Sequence, residues 1–544
     1  MAKGGSEDQG APAAALNPPN IIFILADDLG WNDVGWAGDD FRGVTPYLDS
    51  LRHASVELTS YYTQQLCTPA RAALLTGRYP FKTGMQAAAL ASKAGMQAAA
   101  LASTDEWGIP LQYSLMPQYL AQAGYTSHLV GKWHVGHASA QLLPTSRGFA
   151  TSYGYLTAME HYATHLTMDS GTLDFNQGWA DGLAPQEDDD SSTGQSFSCV
   201  ADKDGLHSAR IASHWNSSSS VPQTPLFLYM AYQNPHWPTE PDAFVDFSPI
   251  EGILSTITDS SRQDAAKLVY TLDREVERLV TGLTDAGVMD NYVLVFASDN
   301  GPCQAHGLST YPLRGAKNYT FEGGSHVRAF VQSSLLPSTS ANTSYDGLFH
   351  VTDWLPTFME MAWPGWSQTR DALELDGVSQ WEALMSAAAS GDAPRTELVY
   401  NLQESTSVTD NTTTLFGAIR QGNWKYIWNE DCQLWNDLSD RYDAKLWNDF
   451  SDRYDAKVYT SQCKLQGGEC TAATEATSWL FNLAQDPYEI HDLSSTHPKL
   501  IKHFQARLRV HQKALQTPLG ETVTASGTDP KPTWNSLGCI GPWL

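Results

Sequence analysis

Three short, nearly unbroken apolar runs stand out along the chain, Ile21–Ala26 (IIFILA), Pro225–Gln233 (PLFLYMAYQ) and Tyr292–Ala297 (YVLVFA), with a shorter one at Thr126–Val130. A strand buried on both faces reads this way, because neither side alternates with solvent. Each run ends in polar residues: Asp27-Asp28, Gly131-Lys132-Trp133-His134, Asn234-Pro235-His236 and Ser298-Asp299-Asn300. Between the runs, Pro46–His53 and Leu115–Gly124 read as helices and Val56–Tyr62 as another strand. Gln263–Ala286 is amphipathic, with Leu268, Leu272, Val276, Leu279 and Leu283 at helical spacing, so that stripe is expected in the core. Strands alternating with helices predict an α/β fold, a large, mostly parallel sheet sandwiched by helices. Open sheets of that kind bind ligands beyond the carboxyl ends of their strands. The polar strand ends are therefore the candidate site.

From about Gly391 the pattern changes to short, half-buried strands (Leu398–Leu402, Leu415–Trp428, Trp479–Leu483) and a closing helix at Lys499–Leu515. That predicts a smaller antiparallel sheet with a helix. The expected division is a disordered segment over 1–19, a catalytic domain over 20–390 and a C-terminal subdomain over 391–544. Gly148–Asp190 is rich in Tyr, His, Asp and Gly with little periodicity, which predicts long loops over the mouth of the site. Its acidic end, Glu187–Asp190, reads as solvated. Two stretches are duplicated in tandem: GMQAAALAS at Gly84–Ser92 and Gly95–Ser103, and LWNDLSDRYDAK at Leu434–Lys445, repeated as LWNDFSDRYDAK at Leu446–Lys457. One extra copy is not a repeat fold, so both are expected in surface loops, where added length costs little.

Composition narrows the function. With 42% hydrophobic and 17% charged residues and 18 Trp, the chain is globular. A net charge of −27 disfavours nucleic acid as a partner, but says nothing against a small anion in a locally basic pocket. No apolar run is long enough to span a membrane. The N-terminus lacks the apolar core of a signal peptide. Four sequons, at Asn216, Asn318, Asn342 and Asn411, nevertheless suit a secreted, lysosomal or vacuolar glycoprotein. Besides Cys67 there are six cysteines, Cys199, Cys303, Cys432, Cys463, Cys470 and Cys539, enough for three disulfides of undetermined pairing.

The candidate chemistry centres on Leu66–Pro80, LCTPARAALLTGRYP, in which Cys67, Pro69 and Arg71 form C-x-P-x-R, followed by Leu75-Thr76-Gly77-Arg78. Alone, that pattern also describes a free cysteine before a helix with proline in its first turn. Asp27-Asp28 alone would serve as a turn or N-cap, and His236 alone as a structural histidine. Taken with GRYPFKTGMQ, HLVGKWHVGH, PLRGAKNYTFEGG, WLFNLAQDPYEIHDLS and the terminal GPWL, the stretch resembles the sulfatase signature, and the resemblance runs from Asn20 to the C-terminus. The chain looks most like arylsulfatases of the B type.

The resemblance implies an alkaline phosphatase-like fold and a formylglycine made from Cys67 by a formylglycine-generating enzyme, with a hydrate that attacks sulfur. It implies that Asp27, Asp28, Asp299 and Asn300, with residue 67, hold Ca²⁺, an ion that takes hard oxygen donors. Arg71 would hold the aldehyde hydrate, Lys132 and His134 would contact it, and His236 and Lys317 would grip sulfate and serve the leaving oxygen. The implied activity is calcium-dependent hydrolysis of sulfate esters, aryl sulfates in vitro and sulfated sugars or polysaccharides as natural substrates. Alternatives are a phosphodiester or phosphonate monoester hydrolase of the same superfamily, and a catalytically silent sugar-binding relative in which Cys67 stays a thiol. The substrate-side basic and aromatic residues of the family are not recognisable in the duplicated alanine-rich stretch, and Asp105–Trp107 stands where relatives often carry cysteines. Specificity for one sugar does not transfer.

Overall fold

The computed structural model describes residues 17–86, 101–167, 170–174, 176–179, 196–199, 224–241, 245–303, 306–363, 366, 374–386, 393–406, 412–430, 465–466, 469–470, 478–519, 526–537 and 539–544. Strand β1 (Asn20–Asp27) is central to a ten-stranded sheet. The other strands are β2 (Val56–Leu58), β4 (Thr126–Gly131), β5 (Thr151–Gly154), β6 (Asn176–Trp179), β7 (Ser196–Cys199), β8 (Leu226–Pro235), β9 (Tyr292–Ser298), β10 (Ala329–Ser333) and β11 (Thr343–Tyr345). Their order is β11-β2-β10-β9-β1-β8-β4-β5-β6-β7. The middle five, β9, β1, β8, β4 and β5, are parallel, while β10, β6 and β7 add antiparallel pairings towards the two sides. This is the expected mixed, mostly parallel sheet.

Both faces are covered, and β1 shows how. Ile21, Phe23 and Leu25 enter one core cluster with residues of α2 (Cys67–Thr76), α3 (Met116–Gln122) and α5 (Trp354–Ala362). Ile22, Ile24 and Ala26 enter the other, with α1 (Pro46–His53) and α4 (Ser260–Asp285). Side chains that alternate along a strand go to opposite faces, so the unbroken apolar run was the mark of helices on both sides. Asp259 caps α4 by accepting from the amide of Arg262 at 2.8 Å, and the whole Leu268–Leu283 stripe is buried as predicted. Helix α2 begins at Cys67, two residues before Pro69 where the sequence placed it. It ends on Gly77 at φ 64, a left-handed cap that glycine adopts without strain.

A second, four-stranded antiparallel sheet is built from β13 (Glu397–Thr406), β14 (Thr413–Gln421), β15 (Trp424–Trp428) and β18 (Trp479–Asn482), covered by α6 (Pro498–Gln512) through Phe504 and Leu508. Small two-stranded pairs, β3 (Tyr61–Tyr62) with β12 (Phe349–His350) and β16 (Leu465–Gln466) with β17 (Glu469–Cys470), complete the described sheets.

Several expectations need correction. Val56–Tyr62 is two strands, because the chain turns at Thr59-Ser60 and β3 pairs elsewhere. Leu415–Trp428 is a hairpin whose turn contains Gly422 at φ 54. The stretch from Gly148 is not all loop, since β5 and β6 extend the main sheet. Cys303 is a free thiol, so six cysteines do not form three pairs. The packed flanks of the first duplication are not surface: Met85 and Leu101 are buried in the core. Its residues 87–100, the whole second duplication, residues 1–16, Glu187–Asp190, Asn216 and Asn411 lie outside the described residues.

Candidate active site

The carboxyl ends of four neighbouring strands deliver the site. β1 ends in Asp27 and Asp28, β8 carries on to His236, β4 to Lys132 and His134, and β9 to Asp299 and Asn300. Register keeps them together: Asp27 pairs with Pro235 and Ala26 with Ser298, while a bulge between Leu25 and Asp27 lets β1 turn. Asp28 (φ 61) and His134 (φ 54) both sit in the left-handed region, where non-glycine residues are uncommon and turn a side chain away from the strand direction. The start of α2 brings Cys67, with Arg71 one turn further, and the loop after β9 brings Lys317. All ten predicted residues converge.

The contacts form one network. Lys132 Nζ lies 2.5 Å from Asp27 Oδ2, and Lys317 Nζ lies 2.7 and 2.8 Å from the two oxygens of Asp28. Arg71 donates through Nε and Nη2 to Asp299 Oδ2 at 3.1 and 2.8 Å, the paired geometry a guanidinium prefers. Asn300 Nδ2 donates to Asp28 Oδ1 at 2.5 Å and the amide of Asp28 to Asp299 Oδ1 at 3.2 Å. Burial pushes the Asp28 carboxyl up, but Lys317 and His236 outweigh it and hold the group below the usual range. Asp27 is likewise held down, burial being overcome by Lys132, His236 and Arg71. Burial and the Asp27 charge together raise Asp299, and burial raises the Cys67 thiol.

The two histidines are fixed in complementary tautomers. His134 Nε2 lies 3.0 Å from the carbonyl oxygen of Leu101, which can only accept, so Nε2 carries the proton. His134 Nδ1 is then a bare lone pair, buried and without a partner. Burial, followed by Lys132 and Arg71, holds His134 well below the ordinary imidazole value. In His236, Nδ1 donates to the carbonyl of Trp237 at 2.6 Å, leaving Nε2 to accept from Lys317 Nζ at 3.1 Å. Burial and the Lys317 charge depress its pKa, while Asp28 raises that of Lys317 against the effect of burial.

The donor set fits a hard divalent cation. One donor atom each from Asp27, Asp28, Cys67 and His236 lies within 4.8 Å of the others. Asp27 Oδ1 and Asn300 Oδ1 are buried and accept no hydrogen bond, which is costly unless something else takes those lone pairs. The carboxylate and amide oxygens are donors that suit hard cations such as Ca²⁺ or Mg²⁺, whereas the Cys67 sulfur and the His236 nitrogen of the same cluster are softer donors.

Reading the sequence missed the groups that set these positions. Tyr229 Oη lies 3.5 Å from Arg71 Nη1, Thr68 Oγ1 lies 3.2 Å from His134 Nε2, and the Tyr162 hydroxyl donates to the carbonyl of His236 at 2.9 Å. Only the Tyr-rich character of the loop after Gly148 hinted at one of them.

A sandwiched, mostly parallel sheet with an acidic and basic centre at its strand ends defines a hydrolase of alkaline phosphatase-like architecture. The family model described as Sulfatase matches residues 19–364, well over half of the chain. The chain belongs to the sulfatase family and is a sulfuric ester hydrolase. It is 30% identical to arylsulfatase J of Mus musculus over 98% of this chain and 81% of that protein. It is 29% identical to arylsulfatase A of Homo sapiens over 76% of each. Among solved structures it is similar to Ps i-CgsB, with a TM-score of 0.68 at 22% identity over 96% of this chain and 98% of that one, a likeness of fold. Among the described residues no helix is long and apolar enough to cross a membrane.

Proposed function

We propose that this sulfatase hydrolyses sulfate esters of carbohydrates using Ca²⁺ and a formylglycine derived from Cys67. The observation that carries the reading is the convergence of three carboxylates, three cations and two neutral histidines on Cys67, with two buried carbonyl-type oxygens left unsatisfied. Calcium held by Asp27, Asp28, Asp299 and Asn300 would polarise the sulfate oxygens, and the hydrated aldehyde would supply two hydroxyls on one carbon, one to attack and one to release sulfate. Arg71, anchored on Asp299, orients residue 67. Lys132 and Lys317 point fixed positive charge at oxygens that gain charge as the ester breaks, stabilisation that needs no rearrangement. Lys317 holds a proton against His236 Nε2, so this pair protonates the departing alcohol. The bare Nδ1 of His134 accepts a proton from residue 67. These roles rest on geometry and on the family resemblance together.

Cys67 is 2% exposed at the first turn of a fully buried helix, so a formylglycine-generating enzyme must reach it before the chain folds. Passage through a secretory, lysosomal or vacuolar compartment agrees with this and with the exposed sequon residues Asn318 and Asn342. Residues 20–390 would form the catalytic domain and 391–544 the subdomain that closes it. Mass spectrometry of the tryptic peptide ending at Arg71, from protein of the native source, tests the reading. The mass of an aldehyde or its hydrate in place of the thiol is expected, and an unmodified cysteine in protein that still turns over sulfate esters would overturn it. Comparing sulfate and phosphate esters of one alcohol tests the reaction class, with sulfate expected to be the better substrate.

A further inference from the structure

Resting on that reading, we propose that Trp237 and His306 form a ring platform at the mouth of the site, on which the sugar bearing the sulfate stacks. Trp237 directly follows His236 and is tied to it by the 2.6 Å hydrogen bond from His236 Nδ1 to the Trp237 carbonyl. That bond fixes the Trp237 backbone beside His236. The ring stacks on His306 with centroids 5.5 Å apart and planes 25° apart. His236, the residue before Trp237, lies 3.1 Å from Lys317 Nζ and 3.6 Å from Asp28 Oδ2, so the stacked pair borders the charged centre.

Two features separate this pair from ordinary packing. Both residues are partly exposed, whereas Asp27, Asp28, Lys132, His134 and His236 behind them are buried. Among the described residues, Trp237 belongs to none of the four hydrophobic core clusters. A large aromatic side chain outside the core, partly open and next to a reactive centre, is the usual makeup of a ligand pocket wall.

The leaving group must project past this surface. Its bridging oxygen meets His236 and Lys317, so the ring attached to that oxygen passes the residue after His236. A pyranose presents an apolar C–H face that suits an indole, together with hydroxyls that need polar partners. Such partners stand nearby on the same rim: Tyr162, whose hydroxyl donates to the His236 carbonyl, and the exposed pair of His161 Nδ1 and Glu240 at 3.0 Å. A small ester such as methyl sulfate reaches the charged centre without touching the platform.

The test compares Trp237→Ala, Trp237→Phe and His306→Ala against a sulfated disaccharide, methyl sulfate and inorganic sulfate. Dissociation constants come from calorimetry in a Cys67→Ala background, and KM and kcat from the unaltered background. Trp237→Ala is expected to weaken disaccharide binding and raise its KM about tenfold, the loss of one good aromatic contact. Its kcat and the affinities for methyl sulfate and inorganic sulfate should stay within about twofold of the parent. Trp237→Phe should recover most of the loss, and His306→Ala should show a smaller loss in the same direction. Unchanged disaccharide binding in Trp237→Ala would overturn the platform. So would an equal loss for inorganic sulfate, since Trp237 would then be supporting His236. If the parent turned over no sulfate ester at all, the sulfatase reading would fail, while the calorimetry would still decide the platform.

Discussion

Two buried ionic clusters, one at the strand ends of the main sheet and one at its junction with the smaller sheet, differ in what they do with their charge. At the strand ends, three carboxylates meet Arg71, Lys132 and Lys317, yet Asp27 Oδ1, Asn300 Oδ1 and His134 Nδ1 make no hydrogen bond. Where the main sheet meets the smaller one, Glu322 accepts from the hydroxyls of Tyr62 at 2.6 Å and Tyr400 at 3.0 Å, and from Lys425 Nζ at 2.9 Å. Lys425 also pairs with Glu489 at 2.7 Å. Burial alone would raise Glu322, but Lys425 and then His326 hold it well below the carboxylate range, while burial and the Glu322 charge push Glu489 up to about 7. Burial of charge is thus common to both. Both also hold buried atoms without a hydrogen bond, but at the joint Glu489 Oε1 and His326 Nδ1 still face an ion-pair partner at 2.7 and 3.1 Å, whereas Asp27 Oδ1 lies 3.7 Å from Arg71 Nη2 and is free to take a ligand.

Changing one residue in each cluster should separate the roles. Cys67→Ser keeps one hydroxyl on the carbon where the proposed formylglycine hydrate would carry two. It is expected to release no more than a single equivalent of alcohol per active site while its melting temperature stays near that of the parent. Sustained turnover near the parent rate, followed by product release, would remove the nucleophile from residue 67. Lys425→Met is expected to do the reverse, leaving Glu322 and Glu489 buried without their cation at a cost of about 3–5 kcal/mol. Denaturant unfolding reads that cost, and activity per folded molecule should persist. A variant that folds normally but loses turnover would make the junction part of the catalytic machinery.

Calcium removal should affect the strand-end cluster alone. Ligand present at about a hundred times its Kd adds about 3 kcal/mol to the folded state, so exhaustive chelation should lower the melting temperature by several degrees and reduce turnover together. Restoring calcium should restore both. Full activity in metal-free protein would refute the ligand assignment.

The smallest effect expected is on pH dependence. Asp174 accepts from the amides of Leu156 and Thr157, and Asp273 from those of Tyr47 and Leu48, yet burial pushes both up to about 7. Their folded pKa values exceed the unfolded ones, so between about pH 4 and 7 the folded protein holds protons that the unfolded chain has released. Stability contributed by these groups is full below the unfolded value and is lost as pH rises through 7. The buried histidines, His134 and His236 among them, are depressed and act in the opposite sense, so the test is a difference: from pH 5 to pH 7.5 the melting temperature of Asp174→Asn should rise by a few degrees relative to that of the parent. A variant whose pH profile runs parallel to the parent's would contradict the assignment.

The strand ends were legible because a doubly buried strand announces itself as an apolar run, and whatever polar residue follows it must sit at the sheet edge. That logic found Asp27, Asp28, Lys132, His134, His236, Asp299 and Asn300, while Cys67 and Arg71 came from the C-x-P-x-R pattern and Lys317 from the family resemblance. It could not find Tyr229, which sits inside the run PLFLYMAYQ and reads as core until Arg71 is placed beside its hydroxyl. Nor could it find the Leu101 carbonyl, since every residue has one and only the fold selects it. The β14–β15 turn was lost for a different reason. Arg420-Gln421-Gly422-Asn423 is a polar break with a Gly-Asn pair between two apolar stretches, a hairpin signal that reading the stretch as one strand passed over, and the left-handed Gly422 turns the chain back there. β5 and β6 lack alternation because they take their order from pairing with the main sheet.

The contact between Leu101 and His134 bears on how this gene can vary. Leu101 belongs to the second copy of GMQAAALAS, while the packed Met85 belongs to the first. Because the copies are identical and offset by eleven residues, loss of one by replication slippage would leave a methionine to enter the core and a leucine to offer its carbonyl, whichever copy went. A shorter segment would therefore keep the identity of the residue whose carbonyl fixes the His134 tautomer, while the chain joining it to Met85 would lose eleven residues.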